Sequence, residues 1–196
     1  KGLGAIEFWS DKLADKKMIP AIISSLEDDS SEIRKTIANI LDRLRYQNFS
    51  EKEKIAYLIA REDWEAVINI GKPAVESLIA HVENDDLEFR DYNLSEFRSK
   101  FPQPLGNIHD MRAVEPLIRF LRNETAFLCM IDHKCGFENG CIYAMEALSE
   151  LGDKTAVDAI IECMEKVDDF EVIKVAMKAL EKLADAKAIN PILEYL

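Results

Sequence analysis

The sequence predicts an all-α protein: a right-handed α–α superhelix, or solenoid, of about four helical pairs with an inserted pair and a truncated last repeat. Three observations carry that prediction. Five segments share one apolar pattern at helical spacing, and a second family of segments follows the first. The chain of 196 residues also has only 7 Gly and 6 Pro, too few for a fold of many short strands and turns. With 48% hydrophobic and 32% charged residues it can bury a substantial core without disulfides or a structural metal.

The first family comprises MIPAIISSL from Met18, AVESLIAHV from Ala74, AVEPLIRFL from Ala113, AVDAIIECM from Ala156 and AINPILEYL from Ala188. Apolar residues at positions 2, 5, 6 and 9 of each fit one face of a 3.6-residue helix and not the alternation of a strand. These are the A segments. The B segments are IRKTIANIL from Ile33, FRDYNLSEF from Phe89, GCIYAMEAL from Gly140 and VIKVAMKAL from Val172. Three of them follow an expected capping box: Asp29 with Glu32, Asp85 with Glu88, and Asp168 with Glu171. The tails ALSELGD from Ala147 and ALEKLAD from Ala179 end in small or acidic residues, where one helix can stop and the next begin.

The repeat register locates the insertions. An A segment leads its B segment by 15, 15 and 16 residues in the first, second and fourth repeats, but by 27 in the third. From B to the next A the distance is 16 after the third and fourth, 41 after the first and 24 after the second. The longest interval holds an extra helical pair: Ser50 and Glu53 cap a helix through Ile55, Leu58 and Ile59, and WEAVINI ends at Gly71, with Trp64 packed on its neighbours. The 24-residue interval contains FPQPLGNIHD, read as a loop because of Pro102, Pro104 and Gly106, with Asp110 as N-cap of the next helix. The insertions thus fall at about 47–71, 98–109 and 124–139 of a single domain spanning 1–196. The last A segment has no B partner, so Ile189, Ile192, Leu193 and Leu196 would cap the stack, and self-association through this C-terminal helix is open.

The segments AVEPLIRFL at 113–121, IGKPAVESLIAHV at 70–82 and ALSELGDKTAVDAII at 147–161 resemble HEAT-like repeats of the short prokaryotic type found in phycobilin lyases. The resemblance extends from about residue 14 to the C-terminus. It implies an armadillo-like scaffold that supplies an interaction surface more often than a reaction, with B helices lining the concave side and arginines such as Arg34 and Arg90 tying neighbouring repeats together. It also keeps open a bilin or other tetrapyrrole lyase-like enzyme subunit. A bilin would need aromatic and cationic groups, for which Trp64, Tyr92, Phe97 and Arg98 are available.

Charge and motifs narrow the function class. A net charge of −12 and a pI near 4.8 oppose general attraction to nucleic acid or anionic membranes. No apolar run approaches membrane-spanning length, and the first residues carry no signal-peptide core, so a cytoplasmic protein is expected. Phosphate-loop, GxSxG, HExxH and Cys-x-x-Cys signatures are missing, and none of the three histidines precedes a glutamate. A non-catalytic protein-interaction scaffold without cofactor is therefore expected ahead of an enzyme.

Two groups of residues are candidates for a site. Arg34, Arg90, Arg98, Lys174 and Lys178 place positive charge on B segments, while Glu76, Glu83, Glu115 and Asp158 make the A segments acidic; such a face suits an acidic segment of a protein partner. Cys129, His133, Cys135 and Cys141 offer a nitrogen and three thiolates, the donor set of a zinc or redox module. Their C-x3-H-x-C-x5-C spacing lacks the paired knuckles of structural zinc sites. The alternatives are a disulfide, or simple packing in which Cys129 extends the run AFLCMI and Cys141 sits inside the B helix. Cys163, in an apolar helical pattern, reads as a small buried side chain.

Overall fold

A computed structural model describes residues 18–28, 30–83, 100–130 and 139–195, which are helical with no strand among them. Contacts divide the chain into two compact units, Lys1–Ile70 and Gly71–Leu196.

In the first unit, α1 (Ile19–Ser24) runs into a 3-10 turn and is followed by α2 (Ser31–Arg43), α3 (Glu51–Ala60) and α4 (Trp64–Ile70). The predicted A-face residues Ile22, Ile23 and Leu26 are buried with Ala38 and Leu41 of α2 and Ala60 of α3. The inserted pair is present as expected. Ser50 accepts from the Glu53 amide while Glu53 accepts from the Ser50 amide at 2.7 Å, completing the capping box. Ile59 and Val67 are fully buried, and Trp64 is half-buried at the start of α4.

One cap differs from expectation. Asp29 lies outside the described residues, and the N-cap of α2 is Ser30, which accepts from the Ile33 amide, while Asp28 accepts from the Ser30 amide at 2.9 Å. With the cap at residue 30, Glu32 sits one position too early to return the second bond of a capping box.

The second unit contains α5 (Val75–Glu83), α6 (Pro102–Ile108), α7 (Val114–Met130), α8 (Asn139–Leu151), α9 (Val157–Lys166), α10 (Phe170–Leu183) and α11 (Ile189–Leu193). They form two layers. The A layer places α7 between α5 and α9, the B layer places α8 between α6 and α10, and α6, α8 and α10 each pack on A-layer helices. Leu78, Leu117, Leu121, Met145, Leu148 and Ile160 fill the space between the layers with no solvent exposure. Apolar periodicity alone selects these side chains, so the layered helical pairing follows from the sequence pattern.

The joins between B and A helices are built alike. Each of α5, α7, α9 and α11 starts through a 3-10 turn whose last residue is Ala74, Ala113, Ala156 or Ala188. These alanines, at position 1 of their A segments, are buried. Asp110, Asp153 and Asp185 cap three of the turns by accepting from the amides of Arg112, Thr155 and Lys187. The residue before each aspartate is left-handed: His109, Gly152 and Ala184 have φ of 56°, 73° and 50°. One left-handed residue followed by one capping aspartate therefore stops a B helix and starts the next A helix.

Three expectations are corrected in this unit. FPQPLGNIHD is not a loop: Pro102–Ile108 is the helix α6, occupying a B-layer position against α8. Pro102 and Pro104 fall in the first turn, where an amide has no intrahelical acceptor, so their missing N–H groups cost nothing there. Residues 124–130 do not belong to an insertion loop either, since α7 continues through Met130 with Glu124, Thr125 and Leu128 buried. The cap of α10 is Asp169, accepting from the Val172 amide at 2.9 Å, and not Asp168 with Glu171. The pair Asp85 and Glu88, and the second B segment at 89–97, lie outside the described residues.

Candidate partner-binding face

Helix α10 supplies the clearest polar face of the B layer. Its apolar stripe, Val172, Ala176, Ala179, Leu180 and Leu183, is buried against α8 and α9, which turns the intervening residues outward. Phe170 opens the helix with 76% of its surface exposed. Lys174 and Lys178 follow at intervals of four residues, so the three side chains share one stripe. The Lys174 ammonium stands 5.8 Å from the Phe170 ring centroid and also pairs with Glu171. A large exposed aromatic ring with a cation above it combines an apolar anchor with positive charge.

The neighbouring helix α8 contributes the opposite charge. Lys182 reaches Glu150 at 2.5 Å, and that hydrogen bond, together with the more distant His109, holds the Glu150 carboxyl below its ordinary range. Glu146, one turn earlier, moves the other way: burial raises its pKa, partly offset by attraction to Lys178. Lys178 is exposed and, unlike Lys174 and Lys182, makes no close ion pair among the described contacts. The open positive charge of the face therefore lies at Lys178, on the stripe that Phe170 and Lys174 begin.

The remaining predicted residues are placed elsewhere or lie outside the description. Arg34 is buried in the first unit at 6% exposure, where its Nη1 donates to the Asp28 carbonyl at 2.5 Å and ties α2 to the turn before it. Arg90 and Arg98 lie outside the described residues, as do His133 and Cys135. Of the cysteine set, Cys129 is exposed on α7, with its Sγ 3.7 Å from the Lys166 carbonyl, whereas Cys141 is completely buried in α8. The described residues contain no group of three or more His, Cys, Asp or Glu able to hold a metal ion. Of the aromatic and cationic groups set aside for a bilin, only Trp64 is described.

Reasoning from sequence overlooked Phe170. Pattern analysis began the last B helix at Val172, and an aromatic residue two positions upstream carried no period of its own. Among the described residues no helix is long and apolar enough to cross a membrane.

No curated protein matches the chain. Residues 141–166 match the family model described as PBS lyase HEAT-like repeat. The match runs from the first turn of α8 to the end of α9, one helix from each layer and the join between them. Residues 141–166 thus carry the pattern of a PBS lyase HEAT-like repeat, and the described residues on either side of them are helical.

Proposed function

We propose that the protein is a non-catalytic scaffold that binds an acidic segment of a protein partner through the Phe170, Lys174 and Lys178 stripe of α10. The observation that carries this reading is the exposure of Phe170, 76% solvent-accessible beside two lysines on the same stripe. An isolated exposed leucine needs no explanation, but a phenylalanine at this exposure flanked by cations has the composition of an interface anchor. HEAT-like repeats add an extended surface on which such an anchor can work.

A photo-crosslinking phenylalanine analogue at position 170 should capture a partner from native cell extract, and the captured contact should map to a segment rich in Asp and Glu. Phe170→Ala combined with Lys178→Glu should lower affinity by at least tenfold while thermal stability falls only by the lost attraction between Lys178 and Glu146, because Phe170 and Lys178 are both exposed. Equal affinity of the wild-type protein and the double variant for the captured partner would refute the reading.

A bilin lyase-like role is the second reading, favoured by the name of the matched repeat family. It predicts a change in visible absorbance when the protein is mixed with a bilin or haem, and an unchanged spectrum would remove it. Self-association through α11 belongs to the same proposal. Its support is the exposure of Ile189 and Leu193, at 57% and 61%, in a segment whose equivalents in α5 and α7 are buried. A constant monomer mass by light scattering across a hundredfold concentration range would exclude it.

A further inference from the structure

Helix α10 exposes a face that α6 and α8 bury. Seven residues before the left-handed residues His109, Gly152 and Ala184 stand Pro102, Met145 and Met177, and three residues before them stand Gly106, Ser149 and Glu181. Both positions are buried in α6 and in α8, and in each case the following B helix packs alongside: α8 meets Gly106 through Ala147, and α10 packs on α8. In α10 itself Met177 is only half-buried and Glu181 is exposed. Ile173 is half-buried as well, whereas its counterpart Cys141 in α8 has no solvent exposure. This side of α10 looks away from α8, because Ile173 lies about 180° round the helix from Lys182, which reaches Glu150 of α8.

Helix α11 repeats the pattern in the A layer. It lies beside α9, with the Tyr195 hydroxyl donating to the Met164 carbonyl at 2.9 Å and Lys187 pairing with Asp158. At position 2 of the A segments Val75, Val114 and Val157 are buried, but Ile189 is exposed. At position 5 Leu78, Leu117 and Ile160 are fully buried, but Ile192 is only half-buried. Helix α8 packs on α6 and α7, and α10 packs on α8 and α9. The same stacking rule sets one further helix against α10 and α11, over Ile173, Met177, Ile189 and Ile192.

We propose that this face of α10 and α11 seats an amphipathic α-helix of a protein partner, aliphatic along the covered side and acidic along one edge. The inference rests on the reading of the Phe170 stripe as the site of an acidic segment, and gives that segment a conformation and an apolar anchor. Its charge follows from the rim of the face. Phe170, Lys174 and Lys178 border the face along α10, and Lys178 carries the open positive charge. An acidic edge against a lysine edge already joins two B helices within the chain, where Glu150 of α8 meets Lys182 of α10. Glu181, at the far end of the face, confines the acidic edge of the partner to the Phe170 half. Self-association through α11 would compete for the same face, but a second copy brings an identical lysine edge to it, which charge opposes.

The probe is a fluorescein-labelled, stapled helical peptide of residues 170–183 carrying Lys174→Glu, Lys178→Glu and Lys182→Glu, because α10 already fits the equivalent face of α8. Anisotropy titration with the full chain should show saturable binding. Binding should weaken about tenfold when the peptide keeps its native lysines, and should be lost when its sequence is scrambled. In the protein, Met177→Gln with Ile189→Gln should weaken binding about tenfold. A benzophenone on the apolar stripe of the peptide should crosslink to Met177 or to α11 of the wild-type protein, so a folding defect in the variant does not decide the outcome. Crosslinks confined to other helices, or equal binding of the scrambled peptide, would overturn the inference. So would a dimer that Ile189→Gln abolishes, which would give the face to a second copy. Binding that is lost in Phe170→Ala with Lys178→Glu but kept in Met177→Gln with Ile189→Gln would overturn the helical seat alone and leave the acidic-segment reading standing. Capture at position 170 of a partner contact without acidic residues would remove that reading, and this inference with it.

Discussion

Replacing Gly106 by alanine tests the helix crossing that places α6 in the B layer. A Cβ built at Gly106 would lie 2.7 Å from the Ala147 Cα, 2.9 Å from its Cβ and 3.3 Å from its carbonyl oxygen. The obstructing atoms are mostly backbone of α8, so no side-chain rotation relieves the clash. The two helices would have to separate, loosening the contacts of Leu105, which is fully buried. Overpacking of this kind costs roughly 1–3 kcal/mol and sometimes more. Alanine also has an intrinsic advantage over glycine of about 1 kcal/mol in a helix. The signs therefore oppose one another. With α6 loosely packed, Gly106→Ala would stabilise by up to about 1 kcal/mol; with the observed crossing it should destabilise by about 1–2 kcal/mol net. Urea unfolding followed by far-UV circular dichroism would read this as a lower midpoint at unchanged slope. Asn107→Ala, on the exposed side of the same helix, is the control and should change stability by less than about 0.5 kcal/mol. Adding Ala147→Gly should give only partial rescue, because the closest atom is the Ala147 Cα, which that substitution retains. A midpoint for Gly106→Ala equal to or above wild type would refute the crossing.

Three further predictions concern charge. Asp110 is held at about 2 chiefly by the Arg112 guanidinium and amide hydrogen bonds, so its stabilising contribution is complete above the unfolded value near 3.8 and is lost as pH falls through about 2. Asp110→Ala should therefore flatten the acid limb of a melting-temperature profile between pH 4 and 2. Glu146 has the opposite sign, since a carboxyl raised by burial weakens the fold once it ionises; Glu146→Gln should equal or exceed wild-type stability at pH 7, and any gain should shrink below pH 4 in the same thermal scans. Finally, Arg112 pairs with Glu76 at 2.6 Å and Lys187 with Asp158 at 3.0 Å, each reaching from a 3-10 turn to the preceding A helix. The equivalent position in the repeat between them is Thr155, opposite Glu115. Thr155→Lys should add the missing rung and gain about 0.2–0.5 kcal/mol in urea titrations at low salt, a gain that 0.5 M salt should largely erase.

Local rules were legible wherever the relevant partners lie within a few residues. The A-face residues of α5, α7 and α9 are buried almost as the period requires, and the Ser50–Glu53 box forms at its expected position. Caps at the first and last B helices were each displaced by one residue because several adjacent Asp and Ser residues compete, and backbone geometry chooses among them. The prolines of α6 misled for a related reason. A proline forbids helix in the interior but suits the first turn, and distinguishing the two requires knowing where the helix begins.

By itself, the sequence determined the helical class, the two alternating families of segments, the inserted pair and the acidic character of the chain. Those features depend on periodicity, capping and composition, which are carried by near neighbours. Tertiary structure alone decided that α6 occupies the B layer, that Gly106 meets Ala147 and that Phe170 faces solvent. Each depends on how one helix crosses another. The spacing between repeats brings those helices together, but only packing sets which side chains meet.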